Sequence, residues 1–140
     1  MLNIVIMDGQ GGQLGAQLVK EITAQFPNEK LIAIGTNAVA TSSMLKAGAR
    51  QAATGENPVI VACRKADVII GPIGIVIADA LLGEVTPAMA IAVGQADAVR
   101  ILLPMNKCEN LVAGVTSLNA ASLIADTMEK LRCVIDEQRG

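Results

Sequence analysis

Short apolar runs alternate along the chain with segments whose apolar residues recur every three or four positions. A run such as Leu2–Met7, apolar except for Asn3, is typical of a strand buried on both faces of a parallel sheet. The pattern predicts strands at Leu2–Met7, Leu31–Ile34, within Ala49–Gly55, and at Asp67–Ile70, Val99–Leu103 and Leu111–Val115.

Helices are predicted between these strands from apolar spacing and from end signals. Thr36 or Asn37 can cap a helix that Gly48 can end, and both Asn57 and Thr86 precede a proline, as at many helix starts. The predicted helices are the stripe of Leu14, Leu18, Ile22 and Phe26, a segment ending near Lys46, Val59–Lys65, Ile75–Leu82, Pro87–Val93, and a C-terminal helix with Ile124, Met128, Leu131 and Ile135 on one face.

Alternating strands and helices predict the α/β class, as one Rossmann-like domain over residues 1–140. We expect three layers, α/β/α, with a mostly parallel sheet of five to six strands and right-handed crossovers. The chain has 140 residues, which suits one domain. Its 52% apolar and 17% charged residues exclude a disordered chain.

Two of the predicted helices, Ile75–Leu82 and Pro87–Val93, have little polar face. A helix that is apolar all round must be buried all round, and a domain of this size has few such places. We therefore expect one of them to pack against a second copy of the chain, most simply in a twofold homodimer. The alternative is that both helices lie inside the subunit.

Charge and composition argue against several partners. The net charge is −2, and the chain has one Phe and no Trp or Tyr, so neither a basic stripe nor aromatic stacking indicates nucleic-acid binding. The first residues lack a secretory signal, and the longest charge-free apolar stretch, Val68–Ala78, is too short to span a membrane. We expect a cytoplasmic protein with no membrane contact.

Three cysteines, Cys63, Cys108 and Cys133, lie far apart, and the chain has no CxxC pair and no histidine. No metal site is predicted. An odd number of cysteines in an untargeted chain indicates reduced thiols. We expect Cys63 and Cys133 to be small buried apolar residues.

The glycine loop, Gly9–Gly15, follows the first predicted strand and leads into the first predicted helix. This is the context in which a glycine motif indicates a phosphate-binding loop. Its glycines allow a tight turn, close approach of a phosphate and close helix packing, and the first helical amides would point at an anion. No GK[ST] sequence follows, so it is not a P-loop. The alternative is a tight strand–helix turn. The predicted phosphate-site residues are Gly9, Gln10, Gly11, Gly12, Gln13 and Gly15.

Ligands of such sheets lie beyond the carboxyl ends of the strands. The further residues predicted to line that cleft are Thr36, Asn37, Gly71, Gly74, Asn106 and Lys107. Thr36 and Asn37 could bond a sugar or a base, or could simply cap a helix. An NAD-binding domain usually has an acidic residue at that position, which this chain lacks. Lys107 could neutralise a phosphate, and the two glycines could admit a ligand or form a stiff turn.

Three functions remain open from the residues. The first is binding of a nucleotide or phosphorylated small molecule, as a sensor or regulator; a nucleotide or dinucleotide would then be the cofactor. The second is a small enzyme that uses Asp8, Glu84 or Cys108, the last beside Lys107 but with no histidine to activate it. The third is a protein-interaction module whose glycines are purely structural.

Over nearly its full length the chain also resembles a small bacterial family known only as a domain of unknown function. The resemblance rests on Asp8-Gly9-Gln10-Gly11-Gly12, Gly35-Thr36-Asn37, Ala53-Thr54-Gly55-Glu56-Asn57, Asp67–Val76, Thr86-Pro87-Ala88-Met89-Ala90 and Asn106-Lys107-Cys108. It implies a bacterial cytosolic protein and implies no particular activity.

Overall fold

The computed structural model describes residues 1–105, 110–115 and 119–139. Strands and helices alternate along these ranges. The elements are β1 (Asn3–Asp8), α1 (Gln13–Gln25), β2 (Lys30–Gly35), α2 (Ala38–Lys46), β3 (Gln51–Thr54), α3 (Glu56–Lys65), β4 (Val68–Pro72), a short 3-10 helix (Ile73–Val76), α4 (Pro87–Gln95), β5 (Val99–Leu103) and α5 (Ala120–Arg139).

The five strands form a single parallel sheet in the order β3-β2-β1-β4-β5. β1 is central, and its residue Ile6 pairs with Ala33 of β2 and with Ile70 of β4. The chain winds from β1 outward to β3 and then crosses back to β4. The strand order therefore reverses between β1 and β4, which is where open α/β sheets bind their ligands.

Successive residues of the strands face opposite helical layers. Ile4 and Ile6 of β1 belong to a core shared with α1, α2 and α5, whereas Val5 and Met7 belong to a core shared with α3 and α4. Each such side chain contributes about 1.5–3 kcal/mol through its burial. The predicted three-layer α/β fold with a parallel sheet is confirmed.

The predicted helix Ile75–Leu82 is wrong. Only Ile73–Val76 is helical, as a 3-10 turn, and residues 77–86, which we call loop 77–86, form consecutive turns. Positive φ angles at Asp79 (65°), Leu81 (57°), Leu82 (56°) and Gly83 (89°) are incompatible with a right-handed helix. The apolar residues of this segment are buried by a folded loop, which apolar spacing alone does not distinguish from a helix.

Two other expectations about the elements also fail. The predicted strand Leu111–Val115 is absent: residues 110–115 are irregular, and Leu111 is 98% exposed. α3 begins at Glu56 after Gly55, whose φ is 101°, so Pro58 is the third helical residue and not the first. Proline is tolerated there because the amides of a first turn have no intrahelical acceptor.

The two described cysteines differ. Cys63 of α3 is buried, but Cys133 of α5 is exposed, contrary to its predicted burial. Within one subunit α4 is only partly buried, because Ala90 and Val93 face the core while Ile91 is 55% exposed, and its contact with a second copy stays a prediction. In the described ranges no helix combines the length and the apolarity that crossing a membrane requires.

Candidate functional site

The glycine loop starts with a turn at the carboxyl end of β1. The Gly12 amide donates to the carbonyl of Gly9 at 2.9 Å. Gln10 has a φ of 51° and Gly12 one of 72°, whereas Gly11 has no positive φ. A Cβ on Gly12 would lie 2.6 Å from the Cα of Ala40, so this position requires glycine for two reasons.

The neighbouring glycines have different reasons to lack a side chain. A Cβ on Gly9 would lie 2.6 Å from Thr36 Oγ1 and 2.8 Å from Leu81 Cδ1. A Cβ on Gly15 would lie 2.6 Å from Met44 Sδ. A Cβ on Gly11 would meet no atom of the described residues within 4 Å. Within the loop, Gly11 alone has neither a steric nor a conformational reason, inside the described structure, to be glycine.

Asp8, the last residue of β1, directs its charge into the loop. Its Oδ1 accepts from the Gly9 amide at 2.8 Å, and its Oδ2 accepts from the Gly15 amide at 2.7 Å. Burial raises the pKa of Asp8, the bonds from Gly15 and Gly9 lower it, and the charge of Glu84 raises it again; the resulting pKa is above the ordinary value. Because Gly15 is the third residue of α1, Asp8 fills the place of a capping side chain.

The first two amides of α1 are left without such a partner. Gly12 is the N-cap residue and has no side chain to offer. No acceptor among the described residues takes the amide hydrogens of Gln13 and Leu14. These amides lie in the first turn of α1, at the positive end of the helix dipole, and Gly11 immediately precedes the N-cap residue.

Glu84 reaches the glycine loop from loop 77–86. Its Oε1 accepts three hydrogen bonds, from the Gln10 amide at 2.9 Å, from Thr36 Oγ1 at 2.7 Å and from Asn37 Nδ2 at 2.7 Å. Desolvation raises the pKa of Glu84, but the bonds from Thr36, Gln10 and Asn37 lower it by more, so the pKa lies below the ordinary value. Glu84 is therefore ionised at neutral pH.

Loop 77–86 is held firmly against the sheet. Leu81 and Val85 are buried, and the Asp79 amide donates to the Val85 carbonyl at 2.7 Å. Thr86 accepts from the Met89 amide at 3.1 Å as the N-cap of α4. Its hydroxyl also donates to Glu56 Oε1 at 2.6 Å, which connects the starts of α4 and α3. Because of these bonds the loop is an ordered part of the site.

Thr36 and Asn37, two of the residues predicted to line the cleft, do lie against the glycine loop. Asn37 caps α2 by accepting from the Ala40 amide at 2.8 Å, and its Nδ2 also donates to the Gln10 carbonyl at 3.0 Å. Both residues therefore have structural partners in addition to Glu84.

The remaining predicted residues are placed differently. Gly71 is buried against the carbonyl of Met7, whereas a Cβ on Gly74 would lie 3.2 Å from Ala80 Cβ, so Gly74 lies against loop 77–86. Gln13 is exposed at the start of α1. Asn106, Lys107 and Cys108 lie outside the described residues.

Sequence reasoning missed what Glu84 contacts. It is 74 residues from Gln10 and 47 from Asn37, and no local pattern relates such positions. Ser43 was also missed; its hydroxyl donates to the Gly11 carbonyl at 2.8 Å. The strand order brings these segments together, and that order cannot be read from the sequence.

A parallel five-stranded sheet between two helical layers, with a glycine loop at the central strand, defines a Rossmann-like α/β protein. Residues 3–136 match the family model described as "Domain of unknown function (DUF3842)", and the chain belongs to this family. The predicted resemblance to a family of unknown function is thus confirmed. A search of curated proteins found no significant match.

Among solved structures, the chain is similar to a dodecameric FMN-dependent UbiX-like decarboxylase from Escherichia coli O157:H7. The two share 17% sequence identity with a TM-score of 0.49, and the alignment covers 94% of each chain. At that level of similarity, the decarboxylase's cofactor, reaction and assembly do not carry over to this chain.

Proposed function

We propose that the chain binds a nucleotide or phosphorylated small molecule, with a phosphate against Gly11 and the first amides of α1. The open face of Gly11 carries this proposal, because neither its backbone angle nor any atom of the described residues forbids a side chain there. A ligand that approaches the backbone at this point would explain why position 11 is a glycine.

The surroundings of Gly11 suit a phosphate. The amides of Gln13 and Leu14 have no acceptor among the described residues and lie at a helix N-terminus, where an anion is stabilised by about 0.3–1 kcal/mol or more. Both oxygens of Asp8 accept amides from within the loop, so the carboxylate is turned toward the backbone of the loop. The neutralising role of Lys107 remains part of the proposal.

The properties of the two described carboxylates of the site favour ligand binding over a catalysed reaction. A general base works best with a pKa near the operating pH. The pKa of Glu84 is lowered, and its Oε1 is occupied by three donors. Burial raises the pKa of Asp8, but its side chain is 5% exposed and both of its oxygens accept amides of the loop, so the carboxyl is not accessible to a substrate. A sensor or regulator fits these properties better than an enzyme.

A thermal-shift panel of nucleotides and phosphorylated metabolites tests the proposal on wild type, on Gly11→Val and on Ala24→Val. Ala24 is the control, because it is exposed near the C-terminal end of α1, away from the glycine loop. A ligand at a hundred times its Kd adds about 2.7 kcal/mol, a rise of several degrees. We expect this rise in wild type and Ala24→Val, and its loss in Gly11→Val. No shift with any compound, in folded and ligand-free protein, would contradict the proposal.

We further propose that a second copy of the chain covers the outer face of α4. This helix has no charged residue, its Ile91 is 55% exposed, and Val61 of the adjacent α3 is 45% exposed. Such a neutral apolar face suits its own twofold-related copy. Sedimentation equilibrium should show a dimer for wild type and for Val39→Glu, an exposed control on α2, and a monomer for Ile91→Glu. A monomeric wild type would disprove this part.

A further inference from the structure

We propose that Glu84 accepts hydrogen bonds from vicinal hydroxyl groups of the ligand, so that the ligand is a ribose-bearing phosphate. This inference rests on the proposed phosphate site at Gly11, and it assigns a second subsite beside it. It also gives Glu84 a role as a residue that determines specificity and not as a base.

The first argument is that only one half of the Glu84 carboxylate is engaged. Oε1 is fixed by donors from Gln10, Thr36 and Asn37. Oε2 accepts no hydrogen bond from the part of the chain that the structure describes, and the side chain is partly exposed. The result is a rigid, ionised acceptor with a free oxygen. An ionised carboxylate can only accept, and a hydroxyl is the neutral donor that suits it.

The second argument is the position of this acceptor. In dinucleotide-binding domains an acidic residue near the end of the second strand bonds the ribose hydroxyls. This chain has Gly35-Thr36-Asn37 at that point, but Glu84 lies against Thr36 and Asn37 and so supplies a carboxylate at the same place. The acidic residue comes from loop 77–86 and not from the segment that follows β2.

The third argument is the spacing of the two subsites. Glu84 bonds the amide of Gln10, and Gln10 is the residue before Gly11. The free carboxylate oxygen and the open face of Gly11 therefore border the same turn. A ribose 5-phosphate carries its vicinal diol on the ring and its phosphate on the adjoining C5 methylene group, so one small unit presents both groups.

The fourth argument is the backbone that delivers Glu84. Leu81 and Leu82 both have left-handed φ angles, which cost bulky residues free energy. Leu82 is 95% exposed, so its burial does not offset that cost. Strain of this kind persists where a site requires it. Here the turn that contains it places Glu84 over the glycine loop.

The test compares nucleotides that differ only in the sugar hydroxyls. Isothermal titration calorimetry would measure Kd for ADP, GDP, CDP and UDP and for their 2′,3′-dideoxy counterparts, with wild type and Glu84→Gln. In Glu84→Gln the amide oxygen can keep the three donors, while an NH₂ group replaces the free oxygen. We expect at least one ribonucleotide to bind wild type about tenfold to a hundredfold more tightly than its dideoxy form, the effect of hydrogen bonds to a charged group. This ratio should fall severalfold in Glu84→Gln.

The outcomes separate the two proposals. If ribo and dideoxy forms bind wild type equally, the diol subsite is disproved while the phosphate site stands; this comparison needs no variant and holds even if Glu84→Gln does not fold. If no nucleotide binds the folded wild type, the proposed nucleotide function fails and this inference with it. If Glu84→Gln binds both forms more tightly than wild type does, Glu84 occupies the place of the ligand's own anion, and the inference is overturned.

Discussion

The Oε1 atom of Glu84 lies 2.9 Å from the amide nitrogen of Gln10, a residue 74 positions earlier in the chain. The bond joins the turn after β1 to the loop after β4. These are the two strands between which the sheet reverses its order, so the segments expected to face a ligand form one connected unit. Gln10 has a left-handed backbone with a φ of 51°, and this bond helps to hold it there.

Substitution by alanine should lower the free energy of unfolding at Gly9 but not at Gly11. Gly9→Ala places a Cβ 2.6 Å from Thr36 Oγ1 and 2.8 Å from Leu81 Cδ1, and such overpacking typically costs about 1–3 kcal/mol. In Gly11→Ala the new Cβ meets no atom within 4 Å in the ranges that the structure describes, so the free energy of unfolding should stay nearly unchanged. Urea unfolding of both variants measures this difference. Equal costs would show that the open face of Gly11 is not open in solution.

The strained turn of loop 77–86 should be relieved by a residue that tolerates left-handed angles. Leu82 has a φ of 56° and is 95% exposed, so Leu82→Asn removes strain and little packing. We expect the free energy of unfolding to rise by up to about 1 kcal/mol. Leu45→Asn, at an exposed position in the regular helix α2, is the control and should bring no gain. A loss of stability in Leu82→Asn would contradict a strained turn.

The stabilising effect of Glu84 should depend on pH in the acid range. Its pKa is lower in the folded chain, so the ionised group stabilises the fold above its unfolded value of about 4.3, and the effect is lost as pH falls through the folded value. The difference in unfolding free energy between wild type and Glu84→Gln should be largest near neutral pH and should shrink below about pH 4. Glu129→Gln, on the exposed face of α5, is the control. A difference for Glu84→Gln that is constant with pH would argue against the three bonds.

The thiols should differ in reactivity. Burial raises the pKa of Cys63, which makes its reactive thiolate scarce, whereas Cys133 is exposed. In a Cys108→Ser background, Ellman's reagent should modify Cys133 in the native protein and Cys63 only when the chain unfolds. Adding Cys133→Ser should remove the fast phase. Equally fast modification of Cys63 and Cys133 in the native protein would show that α3 unfolds locally and exposes Cys63.

Local signals in the sequence were sufficient for much of the fold. The run at Leu2–Met7 and the four-residue spacing of Leu18 and Ile22 predicted β1 and α1, because both are properties of a single element. Alternation of such elements then predicted the parallel sheet. Asn37 was correctly expected as a candidate cap of α2, since capping is also a local interaction.

The failures have a common physical cause. Loop 77–86 buries Leu81 and Val85 through contacts with other segments, and its apolar composition looked like that of a helix. Glu84 was considered only as a base, because the donors that surround it come from two distant segments. Cys133 was expected to be buried on the strength of its residue type, although it lies on the exposed face of α5.

The hydroxyl of Thr86 bonds Glu56 and caps α4, and Thr86 is only two residues from Glu84. A shift in the first turn of α4 would therefore move the carboxylate that faces the glycine loop. If a second copy covers α4 and a ligand occupies the loop, the two binding equilibria would be coupled. Linkage then requires that the factor by which the ligand changes the dimerisation constant equals the factor by which dimerisation changes the affinity for the ligand.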